Sequence, residues 1–449
     1  MEERKEGDGL QGKIFGMISL GCDKNRVDGE RLLAEVRRRG CAVSDDLSEV
    51  NVLIVNTCAF LEAARKEAID TVLECDAYRS GKLEKIVVSG CLPEKFEGDL
   101  VKYLTEADVL LGIGDASALF AALEEAYRGV RADYVRRAKL PPPRERVLTT
   151  PPHYAYLKIS DGCSNHCTYC LIPKIRGPFR SYPMEDLVAE AASLGELAEL
   201  ILVAQDTTRY GEDLYGENKL PELIKKLSQL DNICHIRLLY CYPERITDAL
   251  IAEVRENPKV LKYLDIPLQH AEDAVLKRMG RKGTRASLAA LLEKLRREIP
   301  EIAVRTTFIS GFPGETEEEH RALQEFLREQ TFFNCGFFAY SREEETPAYR
   351  LPGQIRAQTK ARRVRELYAV QEEVSRRNLA RYAGRTLDVL CDGIDYEKSC
   401  FVGRTWFQAP EIDGVTYFQA AHAETGKRYR VKIDRTDAYD LYGTAEESL

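Results

Sequence analysis

The run KISDGCSNHCTYCLIPKIRG, residues 158–177, sets Cys163, Cys167 and Cys170 at a Cys-x3-Cys-x2-Cys spacing. Thiolates are soft ligands suited to zinc and to iron–sulfur clusters. A structural zinc site needs four ligands, commonly supplied as two paired motifs, and no fourth cysteine lies nearby. His166 sits inside the motif, where its neighbours Asn165 and Cys167 leave little room for it as a fourth zinc ligand. Three thiolates on one short loop suit a four-iron cluster in which each cysteine takes one iron. The fourth iron is then left open for chemistry, by the logic that separates catalytic from structural metal sites.

A second set of three cysteines is dispersed. Cys22 lies two residues past Leu20, Cys58 two past Asn56 and Cys91 two past Ser89, each just beyond a short apolar run. If those runs are parallel strands, roughly 4.8 Å apart, the three thiols converge at one sheet edge. That edge is where open α/β sheets bind ligands. Gly21 and Gly90 immediately precede two of the cysteines. The chemistry expected here is a second three-cysteine cluster, again with an open iron. Of the thirteen cysteines, Cys41, Cys75, Cys234, Cys241, Cys335, Cys391 and Cys400 remain, and these are expected to be small buried hydrophobes.

The elements that must position these residues fall into segments. Residues 1–12 form a polar tail without a signal-peptide core. Residues 13–135 alternate strand-like runs (Ile14–Leu20, Val52–Asn56, Lys85–Ser89, Val109–Ile113) with helical stretches such as Asp28–Arg39 and Leu61–Leu73, the pattern of an open parallel α/β sheet. Residues 136–152 carry PPPRER and TTPP and are a linker. Residues 153–382 hold six strand candidates: Tyr154–Ile159, Glu199–Ala204, His235–Tyr240, Tyr263–Leu268, Val304–Ile309 and Asn334–Tyr340. Six βα units are too few for an eight-stranded barrel and suffice for a partial one, with chemistry at the C-terminal strand ends. The Cys163 loop follows the first of these strands. Gln205 and Asp206 follow the second, Gln269 and His270 the fourth, and Ser310–Glu315 (SGFPGE) the fifth. Residues 383–449 have short β-rich runs separated by Gly, Pro and Asp, which suggests a small antiparallel barrel.

Composition limits the alternatives. The chain has 449 residues, 44% hydrophobic and 31% charged, with a net charge of −8. No apolar run approaches the roughly 18 residues of a membrane helix, so a cytoplasmic protein is expected. The 13 cysteines then point to metal or catalysis rather than to disulfides. From Gly384 to Leu449 eight Lys and Arg face twelve Asp and Glu. A barrel gripping RNA phosphates should be basic, and an acidic one better suits a basic protein partner. Trp406, Phe407, Tyr417 and Phe418 are candidates for a contact patch on it.

CxxxCxxC after a strand resembles the signature of the radical S-adenosylmethionine superfamily. That likeness implies that the open iron binds the cofactor's amino and carboxylate groups and delivers an electron that splits it into methionine and a 5′-deoxyadenosyl radical. Tyr169, Gln205, Gln269 and Gly311 are the candidate cofactor contacts. Two three-cysteine sets in this order resemble the methylthiotransferase family, and the likeness spans nearly the whole chain. It implies an N-terminal cluster domain, a radical core and a C-terminal TRAM barrel of OB-like type. Members acting on transfer RNA read GCQMN or GCKVN at the first cysteine. Here the sequence is SLGCDKNRVDGE, close to the SLGCPKNxVDSE of the ribosomal-protein branch, with Asp23 in place of the proline. NTCAFLEAA at Cys58, LVAQDTTRYG, YLDIPLQHA and APEIDG (Ala409–Gly414) resemble that branch too.

The resemblance implies methylthiolation of the β-carbon of one aspartate in the twelfth small-subunit ribosomal protein, on or near the small subunit. It implies two [4Fe-4S] clusters, two S-adenosylmethionine molecules and a low-potential electron donor, with no membrane and no direct tRNA substrate. Sulfur would ride on the cluster of Cys22, Cys58 and Cys91. Two rival readings are a tRNA methylthiotransferase acting on an adenosine near the anticodon and a redox-sensing iron–sulfur binding module.

Overall fold

Val52, Leu53, Ile54 and Val55 are buried on both faces, as the central strand of a parallel sheet must be. The computed structural model describes residues 10–135 and 146–448. Most of the expected tail and the residues 136–145 of the expected linker lie outside the described residues. The first sheet contains β1 (Ile14–Ser19), β2 (Ala42–Val43), β3 (Val52–Thr57), β4 (Lys85–Gly90), β5 (Val109–Leu111) and β6 (Ala132–Tyr134). Their order is β2-β1-β3-β4-β5-β6 and every pair is parallel. One apolar layer, with Phe15, Leu32, Ile54 and Leu123, covers one face, and another, with Leu53, Val55, Val72 and Leu92, covers the other. Strands β2 and β6 have two and three residues, too short to leave a hydrophobic period in the sequence. The first helix runs Asp23–Arg38, starting five residues before the expected Asp28, with Cys22 at its N-cap position three residues past the strand end.

The chain then enters a second sheet with β7 (Tyr154–Lys158), and returns to the first unit for the two-stranded β8 (Ser160–Asp161) and β9 (Arg180–Ser181). Two compact units result. Among the described residues, the first holds 10–135, 146–149, 158–165 and 170–194, and the second holds 150–157, 166–169 and 195–448. Within the first unit, Leu171 and Ile175 join the core beside Leu92, which explains why part of the cysteine loop packs with the N-terminal sheet.

The second unit contains β10 (Glu199–Val203), β11 (Ile236–Leu238), β12 (Val260–Asp265), β13 (Ala303–Ser310) and β14 (Asn334–Ala339). With β7 they form a six-stranded sheet in the order β14-β13-β12-β11-β10-β7, the partial barrel expected. A closed five-stranded barrel follows: β15 (Thr386–Asp395), β16 (Cys400–Arg404), β17 (Thr416–Gln419), β18 (Arg428–Thr436) and β19 (Leu441–Ser448). Four of its pairs are antiparallel and β17 with β19 is parallel.

Buried ion pairs fasten this small barrel to the sheet. Glu199 receives Arg237 at 2.5 Å and Arg404 at 2.9 Å, all three fully enclosed. Asp413, within APEIDG, accepts from Tyr263 Oη at 2.7 Å, so this carboxylate is an anchor, while Glu411 and Ile412 of the motif are exposed. Half of the candidate aromatic patch is interior, while Trp406 and Tyr417 are half-buried. Phe407 and Phe418 are buried, and Phe407 stacks on Tyr382 at 5.0 Å. Cys41, Cys75, Cys241, Cys391 and Cys400 are buried as expected, whereas Cys234 is exposed and Cys335 half-buried. Cys234 lies in the connection before β11. No helix among the described residues is long and apolar enough to cross a membrane.

Candidate functional site

Ser19, Asn56 and Ser89 stand at one level across β1, β3 and β4. Cys58 and Cys91 lie two residues beyond that level, and Cys22 three. The equal offset inferred from the sequence is therefore off by one for Cys22, and Gly21 absorbs the difference. Gly21 has φ +92°, and a Cβ there would sit 2.8 Å from Cys58 Cβ, so only glycine lets this turn close over Cys58. Cys22 caps the Asp23–Arg38 helix and Cys91 opens the helix Cys91–Phe96.

Buried amides hold the strand ends together. Asn25 Nδ2 donates to Leu20 O at 2.9 Å and Thr57 O at 3.1 Å, tying the β1 end to the β3 end. Asn56 Nδ2 donates to Asn25 O at 2.6 Å, and Thr57 Oγ1 donates to Ser89 O at 2.6 Å, which adds β4. Burial pushes the Cys91 thiol up to about 12 and raises Cys58 as well, and the Arg176 cation opposes both shifts. Metal binding at these thiols must therefore release protons.

In the same unit the Cys163 loop is shaped by backbone. Gly162 has φ +74°, and a Cβ there would meet Pro178 O at 2.2 Å. Cys163 N donates to Gly177 O at 3.1 Å, and Asp161 Oδ1 accepts from Gly162 N at 2.8 Å. Ile172 N points at Cys170 Sγ at 3.4 Å and Asn165 N at Cys163 Sγ at 3.5 Å, amide contacts of the kind that stabilise thiolate ligands. Arg176, Lys158, Asp28 and Asp161 form a buried charge cluster beside this loop. Although burial works against it, Lys158 and Arg176 hold the Asp161 carboxyl well below the usual range.

Cys167 belongs to the second unit, with His166 in a left-handed conformation at φ 54°. Thr168 N donates to Met279 O at 2.9 Å and Ala348 N to Thr168 O at 2.9 Å, so the loop is stitched to its neighbours through the backbone. Tyr169 meets Phe312 edge-on with ring centroids 6.4 Å apart. Gln269, at φ 71°, bridges to β13 through Ile309 N to its own carbonyl at 2.8 Å. Glu315 accepts the amides of Gly311 at 2.6 Å and Phe312 at 3.0 Å, and Arg363 at 3.0 Å, which fixes the SGFPGE turn. Burial drives His270 down to about 3, so it is neutral. Its Nδ1 accepts from Glu272 N at 3.0 Å, which leaves the proton on Nε2, 3.8 Å from Glu315. Tyr169, Gln269 and Gly311 thus gather at the β13 end, and Gln205 stands beyond β10. Arg281 joins this rim, stacked on Tyr242 at 4.0 Å and buried.

Among the described residues no three His, Cys, Asp or Glu side chains close to the spacing of a single ion. All thirteen cysteines are free thiols. An all-thiol donor set with three members fits a cubane, whose ligands are held apart by the cluster itself. Arg176, Lys158, Asp28, Asn25 and Arg281 were not among the site residues expected from the sequence. A signal was present for four of them: Lys158 and Arg176 bracket the cysteine loop, and Asn25 and Asp28 lie in SLGCDKNRVDGE.

The profile of the radical SAM superfamily matches residues 157–327, that of uncharacterized protein family UPF0004 residues 14–112, and that of the TRAM domain residues 383–445. Among solved structures, the radical S-adenosylmethionine methyltransferase TsrM from Kitasatospora setae has a TM-score of 0.54 at 14% identity, over 75% of this chain and 77% of that one. The cobalamin-dependent radical enzyme OxsB has a TM-score of 0.51 at 12% identity, over 81% of this chain and 56% of that one. Such identities speak for the fold alone. Curated relatives named ribosomal protein uS12 methylthiotransferase RimO include that of Clostridium tetani, 43% identical over 96% of this chain and 97% of its own. That of Lachnoclostridium phytofermentans is 45% identical over 97% of this chain and 100% of its own. At that identity over nearly the full length of both chains, and with the three family profiles along this one, the chain belongs to the RimO family of methylthiotransferases.

Proposed function

We propose that the chain methylthiolates the β-carbon of an aspartate in ribosomal protein uS12, as a radical S-adenosylmethionine methylthiotransferase. The observation that carries the reading is the second thiol set. A CxxxCxxC loop alone fits any radical enzyme of this superfamily, whereas Cys22, Cys58 and Cys91 gathered at one sheet edge add a second centre. In this reading Cys163, Cys167 and Cys170 hold the radical cluster, and Cys22, Cys58 and Cys91 hold the sulfur-carrying one. When bound, the two clusters and S-adenosylmethionine supply the carbon radical and the sulfur group.

The chain's own residues then position and enclose. Gly162 and the Cys163 and Cys170 amide contacts set the loop. Tyr169, Gln205, Gln269 and Gly311 are the proposed cofactor contacts, and Glu315 keeps the Gly311 turn in shape. Arg281, held by Tyr242 and by Pro267 O at 2.9 Å, is a buried cation placed to receive a carboxylate. The acidic C-terminal barrel favours a basic ribosomal protein over RNA. Action on or near the small subunit, in the cytoplasm, with a low-potential electron donor completes the proposal.

The test is anaerobic reconstitution, then incubation with uS12 and tRNA in parallel. A mass gain of one methylthio group on the uS12 peptide is expected. Gain on RNA alone overturns the substrate, and absence of 5′-deoxyadenosine after reduction overturns the radical chemistry in favour of a binding module.

A further inference from the structure

Arg176 is a buried cation of the first unit with four side-chain contacts. Its side chain is 1% exposed. Nη1 lies 3.0 Å from Asp28 Oδ2 and 3.1 Å from Asp161 Oδ1. Nη2 donates to Asn25 Oδ1 at 3.3 Å and reaches Cys91 Sγ at 3.6 Å. Lys158, also buried, pairs with Asp28 and lies 3.2 Å from Asp161. The two carboxylates engage Nη1 of Arg176, whereas Nη2 faces Asn25 and Cys91. The contact with Cys91 is therefore a further role of the guanidinium, beyond neutralising the aspartates.

The partners of Arg176 are also informative. Asn25 clips the β1 and β3 ends that precede Cys22 and Cys58. Asp161 accepts the Gly162 amide next to Cys163. One planar fork thus touches a cysteine of the dispersed set, the clip that aligns the other two, and the loop of the first set. A lysine could supply the charge but not four directed contacts.

We propose that Arg176 is a positioning residue for the centre at Cys22, Cys58 and Cys91, and that its buried charge sets the reduction potential of that centre. This rests on the assignment of those three cysteines as cluster ligands. One-electron reduction adds a negative charge to the centre, and hydrogen bonds and net charge around thiolate sulfurs tune iron–sulfur potentials. A buried cation hydrogen-bonded to the Cys91 sulfur favours the reduced state.

The experiment uses the full chain with Cys163→Ala, Cys167→Ala and Cys170→Ala, so that only the second centre loads, and dithionite as reductant. Iron counting should give about four irons, and an EPR-monitored titration gives the midpoint potential. In this parent Arg176→Gln should shift the potential negative, Arg176→Lys less so. Asp28→Asn should shift it positive, because one compensating carboxylate is neutralised while the guanidinium stays. Opposite signs are a result that a merely structural role does not produce. An unchanged potential in Arg176→Gln at full iron content overturns the proposal. If Gln strips the iron, retention in the Lys variant supports a charge role, and loss from both at an unchanged thermal midpoint overturns it. A parent that holds no iron overturns the ligand assignment and this role together.

Discussion

The two cysteine sets reach the same number of thiols by opposite routes. Cys163, Cys167 and Cys170 lie within eight consecutive residues, and their geometry is made by a glycine turn and by backbone amides of the same loop. Cys22, Cys58 and Cys91 are separated by whole helices and meet only because β1, β3 and β4 pair in one register. A loop site is fragile to a single crowded Cβ, and this one also leans on Met279 and Ala348 through the Thr168 backbone. A sheet-edge site tolerates local change but depends on alignment, and so it is held by side-chain clips from Asn25, Asn56 and Thr57.

Cysteine substitution should expose this difference most sharply. Cys163→Ala is expected to reduce 5′-deoxyadenosine formation to background, whereas Cys58→Ala should retain cleavage and lose all methylthio product. Chromatography of the quenched reaction measures both, and equal loss of cleavage in the two variants would erase the distinction. Gly162→Ala comes next. Its Cβ would lie 2.2 Å from Pro178 O in a left-handed conformation, so the loop must open. About half of the bound iron should be lost, and an iron-to-protein ratio that stays at the wild-type level would contradict the loop-made site.

Acid should act on the second unit before it acts on any cysteine. Burial opposes ionisation of Glu199, yet Arg237 and Arg404 hold its carboxyl down to about 2. A depressed carboxylate contributes stability that is present above the unfolded pKa, near 4.3, and is lost as pH falls through the folded value. The contribution is of order 3 kcal/mol. Thermal melts from pH 6 down to 3 should fall more steeply for wild type than for Glu199→Gln, and parallel curves would contradict this. The smallest effect is expected for Asn25→Ala, at about 1–3 kcal/mol for orphaned buried carbonyls. It should lower iron at the dispersed set while sparing the loop set, read by EPR in variants that retain one set each. Equal losses would mean that Asn25 supports the unit as a whole.

Much of the architecture was legible because apolar runs are local. The strands at Val52, Lys85, Tyr154, Glu199 and Asn334 begin where the sequence places them, while β2, β6, β8, β9 and β19 escaped, the first four for their brevity. The aromatics Phe407 and Phe418 could not be assigned from spacing, since a strand shows alternation but not which layer covers it.

By itself the sequence determined the spacing of the loop cysteines, the order of the three regions and the resemblance that names the family, because each is a property of neighbouring residues. Only the tertiary structure decided that Gly21 takes up the extra residue before Cys22. It alone showed that Asp413 anchors the barrel and that Arg176 is shared among Asp28, Asp161, Asn25 and Cys91. Those partners lie 15 to 151 residues from Arg176. Strand register and the pairing of buried charges arise from contacts between such distant segments, and no local pattern in the chain encodes them.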